Sequence, residues 1–340
     1  MIKKLHDPLQ EKTLPNYTDL GINHHSPTQC AMPDGPYVFR YLCCTQETRR
    51  LFEGNANMAA GIAVNDALQW HYSDTIWKHN PNTKKLQPTV NEKLTKDVSI
   101  QKAMARFEEY NPVNDKDRDK FEHYKETIPQ TIRQGFLACE FLGVDKGKEI
   151  TGEDSINNIN KKLQLPIVGR TDLHFKDFNE VEQSASASAS KAAPFLSVLE
   201  FKTVWQKPMK VKKDGTRSFS QAKLPSTPSL NHLQQLSFYA VSLVPCFPHL
   251  IYLSADGFQI FNSKNCADLE KKNIKNYYDQ LIKICIRRER MLQRHSILND
   301  AEEIIKEIIA DTDPQFDHNF YWNIGHQFVQ QAKELWRSHE

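Results

Sequence analysis

The chain has no run of the roughly 18 uninterrupted apolar residues that a membrane span requires. The basic start around Lys3 and Lys4 is followed by no apolar segment, so the sequence predicts no signal peptide, no membrane association and a cytoplasmic setting. Its seven cysteines (Cys30, Cys43, Cys44, Cys139, Cys246, Cys266, Cys285) include no C-x-x-C pair. An odd number without a secretory signal predicts reduced thiols rather than a disulfide framework. An excess of one charge is also missing: 44 basic against 42 acidic residues give +2, so total charge says nothing about partners and only its distribution can. With 340 residues, 39% of them hydrophobic, the chain can bury one large core carrying a helical appendage.

The periodicity changes along the chain. Residues 1–50 read as irregular, apart from an apolar, aromatic run at 37–42. Residues 45–79 read as helical with a break near Gly54 and Asn55, and two charged helices follow at 97–110 and 115–142. Strand patterns appear at 165–175 and 195–205, separated by a serine–alanine tract at 184–190 that reads as a flexible hairpin tip. A Lys- and Pro-rich loop spans 206–228. A helix at 229–244 leads to a strand pair at 249–254 and 257–262, and helices at 266–296, 300–310 and 318–337 complete the chain. The expectation is a mixed α/β fold, with a small central sheet flanked by helices and helical elaborations at both ends.

Within this pattern one strand carries an unusual pair. Glu200 and Lys202 are two apart and share a face, while Phe201 points the other way into the core. Side by side on an apolar strand, a carboxylate and an ammonium are costly unless paired or used. Asp172 lies on the preceding strand, level with Glu200 if the two are antiparallel neighbours, and Gly169 before it permits close approach. Two carboxylates that share a divalent ion beside a lysine are what phosphodiester hydrolysis needs: an activated water, charge neutralisation and an orienting group.

The order Gly169-Arg-Thr-Asp172, Glu200-Phe-Lys202, Gln235-Leu-Ser-Phe-Tyr239 resembles the RecB-like exonuclease branch of the PD-(D/E)XK nuclease superfamily, over about residues 55–262. Gln235 and Tyr239, four apart, share one helix face. The resemblance implies a restriction-endonuclease-like core (about 55–262) in a single elaborated domain spanning 1–340, with a helical extension over about 265–340. It implies a Mg²⁺-dependent deoxyribonuclease, Mn²⁺ substituting, in DNA processing, recombination or repair. Asp172, Glu200 and the Phe201 carbonyl would hold the metal, Lys202 would position or deprotonate the water, and Gln235 and Tyr239 would steady Lys202 or the scissile strand. Asn65 stands where the family has a metal-binding histidine. An amide oxygen is a weaker ligand, and Asp66 replaces it only if the helix is rotated. Some relatives carry a cysteine-bound iron–sulfur cluster, but no spacing here supports one.

Lys207, Lys210, Lys212, Lys213, Arg217 and Lys223 follow the Glu-x-Lys strand against Asp214 alone, which predicts phosphate contacts. Trp205 and Phe219 are placed to stack on an unpaired base. A second basic run, Arg287, Arg288, Arg290 and Arg294, reads first as a solvated helix face and second as a DNA contact. Rival readings are a structure-specific endonuclease of the same chemistry and a catalytically inactive DNA-binding protein that keeps the fold. A homo-oligomer is compatible with the sequence, and the lysine- and asparagine-rich usage would suit a phage or bacterial gene.

Overall fold

The computed structural model of the chain describes residues 17, 19–50, 52, 55–79, 86–177, 195–211, 217–295, 298, 300–318 and 320–339. Gly54, the tract at 184–190, Lys212 and Lys213 lie outside the described residues. In chain order the helices are α1 (Pro27–Cys30), α2 (Asp34–Val38), α3 (Gln46–Arg50), α4 (Ala56–Tyr72), α5 (Lys96–Glu108), α6 (Asp115–Phe141), α7 (Leu230–Ser242), α8 (Lys271–Arg294), α9 (Ala301–Ala310) and α10 (His326–Arg337). The strands are β1 (Thr75–His79), β2 (Leu86–Val90), β3 (Lys148–Gly152), β4 (Ser155–Asn158), β5 (Ile167–Arg170), β6 (Leu173–Asp177), β7 (Phe195–Thr203), β8 (Pro208–Val211), β9 (Arg217–Phe219), β10 (Cys246–Ser254) and β11 (Gly257–Phe261). The fold is mixed α/β. Residues group into two compact units, one of Gly54–Asn157 with Val168–Gln280, the other of Met1–Glu53, Asn158–Ile167 and Leu281–Glu340.

The first unit is built on a seven-stranded sheet in the order β11-β10-β7-β6-β3-β1-β2. The β10–β7 and β1–β3 pairs are parallel and the others antiparallel. β7 is an interior strand, so Glu200 does not sit on a sheet edge. On one face Leu199, Phe201, Ile251 and Leu253 pack with Ala60, Val64 and Leu68 of α4 and Ile128 and Ile132 of α6. Burying this apolar face drives the layer together at about 25 cal/mol per Å². The side-chain alternation then turns Glu200 and Lys202 to the opposite face, where α7 lies against β7 and β10.

Local chemistry sets the helix ends. Asn55 caps α4 by accepting from the Met58 amide, and Asn114 and Thr95 cap α6 and α5 in the same way. α4 stops at Tyr72, although the helical pattern suggested 79. Asn91 donates to the carbonyls of Trp70 and Ser73, and Asp74 accepts from the Ile150 amide, which releases 75–79 to pair as β1. The expected single strand at 165–175 is also two. β5 pairs with β4 in a small separate sheet, and β6 joins the main one, with Thr171 and Asp172 at the break. β3 and β4 fall in a segment that showed no clear period, and β8 and β9 form a hairpin inside the expected loop. The segment expected to be irregular contains α1, α2, α3 and a π-helical turn at Phe39–Cys43.

The second unit has its own core, including Tyr37, Phe39, Leu42, Ile304, Ile308, Trp322, Phe328 and Trp336. One buried carboxylate ties three of its segments: Glu289 Oε1 accepts from the amides of Gln164 (3.0 Å) and Leu165 (2.9 Å) and lies 3.2 Å from His25 Nε2. Burial alone would raise its pKa, but His25 and the two amides hold it below the usual carboxylate value. The stability it contributes is therefore present above the unfolded-state pKa and lost as pH falls through the folded one. Replacing Glu289 with Ala strands two buried amides and should cost about 2–4 kcal/mol. Chemical denaturation followed by circular dichroism checks this, and an unchanged midpoint would contradict it.

Candidate active site

The register of β6 and β7 decides whether the acidic residues meet. Leu173 pairs with Leu199, so one further step along the ladder sets Asp172 opposite Glu200, on the same face. Asp172 stands just before β6, and its carboxylate turns back onto β7: Oδ2 accepts from the Phe201 amide at 2.7 Å and Oδ1 from Asn65 Nδ2 at 3.1 Å. Glu200 is 1% exposed; its Oε1 accepts from Lys202 Nζ at 2.6 Å, and its Oε2 is buried without a partner. Phe201 buries its ring in the core, as its alternation requires.

α7 supports the lysine. Gln235 Oε1 accepts from Lys202 Nζ at 3.1 Å, Gln235 Nε2 donates to Tyr239 Oη at 3.1 Å, and the Tyr239 hydroxyl donates to the Arg170 carbonyl. This chain runs from the lysine through one face of α7 to β5. Gly169 provides the room for it, since an added Cβ would lie 2.8 Å from the Phe238 ring and 3.0 Å from that of Tyr239. The close approach that Gly169 allows is thus by two aromatic rings. Gly169→Ala should push α7 outward, costing about 1–3 kcal/mol, and should loosen the Gln235–Lys202 bond. A Tm equal to wild type would argue against that packing.

The electrostatics follow from burial and crowding. Burial pushes the Asp172 carboxyl well above its ordinary value, and the neighbouring Glu200 charge adds to it, against Lys202 and the Phe201 amide. Glu200 is raised by burial too, despite Lys202 beside it. For Lys202 burial opposes the charge, but Glu200 and Asp172 outweigh it and hold the ammonium above its usual pKa. One ammonium faces two carboxylates, and one carboxylate oxygen has no donor. That donor set fits a hard cation, which binds protein through one or two carboxylates and keeps water or substrate oxygens for the rest. Among the described residues, no group of three His, Cys, Asp or Glu is gathered to hold a metal. Further ligands would therefore have to be neutral oxygens such as the Phe201 carbonyl.

Asn65 meets Asp172 with its amide nitrogen, while its oxygen is buried without a partner. In this arrangement it braces the carboxylate as a donor and does not offer it an oxygen. Its neighbour Asp66 faces elsewhere, paired with Arg106 of α5. Four residues that the sequence did not single out, Glu153, Gln69, His232 and Tyr252, complete the network. Glu153 Oε1 accepts from Gln69 Nε2 at 3.1 Å and from Asn65 Nδ2 at 3.4 Å, and its Oε2 lies 3.6 Å from Arg170 Nη1. Glu153 follows β3 with a left-handed φ of 55°, a conformation that a non-glycine residue adopts at some cost. Gln69 was traceable in the sequence, being one helical turn beyond Asn65. Glu153 was not, because nothing in a Gly-Glu-Asp turn shows where it will face. His232 and Tyr252 lie beside Lys202: Tyr252 is its partner across β10, and His232 Nδ1 is 2.7 Å from the Tyr252 oxygen. Burial first, then Lys202, pulls His232 down to about 4, so it is neutral near pH 7.

His174, two residues past Asp172, sits 3.4 Å from Thr171 Oγ1 and 3.7 Å from Asp154 and is a hydrogen-bonded bystander. Lys207 and Lys223 are exposed, and Lys210 and Arg217 have backbone positions in β8 and β9. Trp205 packs against Tyr124 (ring centroids 4.7 Å apart), and Phe219 stacks on His123 at 3.7 Å. Both rings already have protein partners, which corrects the expectation that they are free to stack on a base. Among the described residues no helix is long and apolar enough to cross a membrane.

No family model matches the chain, and no curated protein does. A solved structure named SSO0001 is 17% identical to this chain, with a TM-score of 0.24. The match covers 49% of this chain and 66% of that one, and at that score the likeness carries no argument about fold or function.

Proposed function

We propose that the chain is a divalent-cation-dependent deoxyribonuclease whose site is Asp172, Glu200 and Lys202, supported by Gln235 and Tyr239. The observation that carries this reading is the pair of buried carboxylates, Asp172 and Glu200, brought level on adjacent strands beside one lysine. A bound Mg²⁺ would acidify its water and neutralise charge developing on the phosphate. Asp172 and Glu200 would hold it, with the Phe201 carbonyl as a neutral third donor, and its charge would offset the burial that raises both carboxyl pKa values. Lys202 has three N–H donors and uses two, on Glu200 and Gln235, so one is left for a water or a phosphate oxygen. Because its charge is held, it acts as an orienting and charge-stabilising group, in preference to a base. Gln235 and Tyr239 keep that donor in place, and Asn65 keeps Asp172 turned toward β7. The exposed Lys207 and Lys223 favour a polyanionic substrate.

The test is incubation of the full chain with end-labelled single-stranded and duplex DNA, with Mg²⁺ and with chelator. Cation-dependent loss of label from linear DNA, sparing a covalently closed circle, is the expected result and supports an exonuclease. Nicking of the circle would make it an endonuclease of the same chemistry. No cleavage of any of these under Mg²⁺ or Mn²⁺ would overturn the reading.

A further inference from the structure

Five cysteines of the second and first units are unremarkable thiols, but two are not. Cys30, at the end of α1, and Cys285, in α8, are 255 positions apart in sequence, yet their sulfurs lie 3.5 Å apart in the core of the second unit. Next to them is a cation without a matching anion. Arg288 is 1% exposed, one turn along α8 from Cys285, with its guanidinium 3.9 Å above the Tyr37 ring. Its Nη2 donates to the Met32 carbonyl at 2.7 Å, while Nε and Nη1 are buried with no partner. Among the described residues no carboxylate is within ion-pair distance of it; Glu289 Oε1, the nearest by sequence, is taken by His25 and two amides. A buried charge with two idle donors calls for a nearby anion.

We infer that Cys30 and Cys285 are a peroxide-reactive thiol pair, with Arg288 as counter-charge to the attacking sulfur, and that they close to an intramolecular disulfide. The bond the sulfurs would form is about 2 Å long, so they need to approach by roughly 1.5 Å. Cys30 is the attacking sulfur, being the one of the two with any exposure, 4% against 0% for Cys285. The hydrogen bond with Cys285 lowers its pKa first, and Arg288 and Arg287 add to this against burial. Burial pushes Cys43 to about 12, Cys44 to about 11 and Cys246 to about 12, so those thiols stay protonated.

The chemistry balances with a hydroperoxide as oxidant. The Cys30 thiolate attacks one peroxide oxygen, the O–O bond breaks, and the departing hydroxide takes a proton to leave as water. Cys30 becomes a sulfenic acid. The Cys285 sulfur then attacks the Cys30 sulfur and displaces its hydroxyl, which leaves as water with the Cys285 proton. Two thiols lose two electrons and two hydrogens, and one peroxide becomes two waters.

The experiment uses the full chain and is independent of any nuclease activity. Treat it with hydrogen peroxide, unfold and alkylate without reductant, and map peptides by mass. The expected product is a Cys30–Cys285 linked peptide, reversed by dithiothreitol, that forms about tenfold or more faster than Cys139 or Cys246 is modified. Arg288→Met should slow it by a similar factor. If that variant does not fold, Cys285→Ser is the deciding one: it should give no linked peptide and should leave Cys30 open to a sulfenic-acid trap such as dimedone. Cys30 reacting no faster than Cys139, or joining a different cysteine, or escaping dimedone in Cys285→Ser, would each overturn the inference.

Discussion

Lys202→Ala should lower DNA cleavage by at least about 10³-fold, the loss expected when a preorganised donor at a charged transition state is removed. Among the described residues the side chain is the ammonium set against Asp172 and Glu200, and two of its three N–H groups are taken by Glu200 and Gln235. Gln235 cannot replace it, being neutral and itself oriented by the lysine and by Tyr239. Lys202→Arg should not restore activity, because a planar fork does not fit between Glu200 and Gln235 as a compact ammonium does. The fold should survive, since β7 is held by its neighbours on both sides and by the apolar layer beneath Leu199 and Phe201. Initial rates on end-labelled DNA, with circular dichroism as the control, settle the point. A variant cleaving within about threefold of wild type would remove Lys202 from the chemistry.

The second large effect is on stability, and its sign follows from the two acidic residues. Asp172 and Glu200 bind their protons more tightly in the folded chain than in the unfolded one. Between the ordinary carboxylate pKa and the raised folded values, the native state therefore carries more protons, and stability must fall as pH rises through that window. Relative to Asp172→Asn, which lacks one of the two carboxylates, the cation-free chain should lose stability between about pH 5 and pH 7.5. A divalent cation should cancel this. At a concentration about 100 times its Kd it adds roughly 2.7 kcal/mol to a state that binds it. Glu289 and the lowered His232 act in the opposite direction, and both are common to wild type and Asp172→Asn, so the comparison removes them. Thermal melts of both proteins with chelator and with Mg²⁺ at both pH values make the comparison. A cation-free Tm that does not fall from pH 5 to 7.5 relative to Asp172→Asn would show that the two carboxylates are not the crowded, buried pair described.

Much of this site was legible because strand and helix periods are simple. In β7 the alternation of Leu199, Phe201 and Thr203 with Glu200 and Lys202 fixed which side chains share a face, and the four-residue spacing of Gln235 and Tyr239 did the same for α7. What was not legible depended on long-range partners. Residues 75–79 continue an apolar pattern from α4, and only Asn91 and Asp74, which satisfy the helix end from outside it, turn them into a strand. β3 is short and charged, and Glu153 reaches Asn65 because of a left-handed turn that no period encodes. The grouping of 158–167 with both chain ends was likewise hidden, since Glu289 meets Gln164 and Leu165 across more than a hundred residues. The basic run on α8 was also misjudged in part: Arg287 is exposed and pairs with Asp34, but Arg288 is among the most buried side chains of the unit.

The central claim is that Asp172 and Glu200 together hold one divalent ion beside Lys202. Isothermal titration of the full chain with Mn²⁺, run on wild type and on Asp172→Ala at neutral pH, tests it without reference to any substrate. One binding event in wild type that disappears in Asp172→Ala is the predicted result; equal heats from both proteins, or none from wild type, would contradict it.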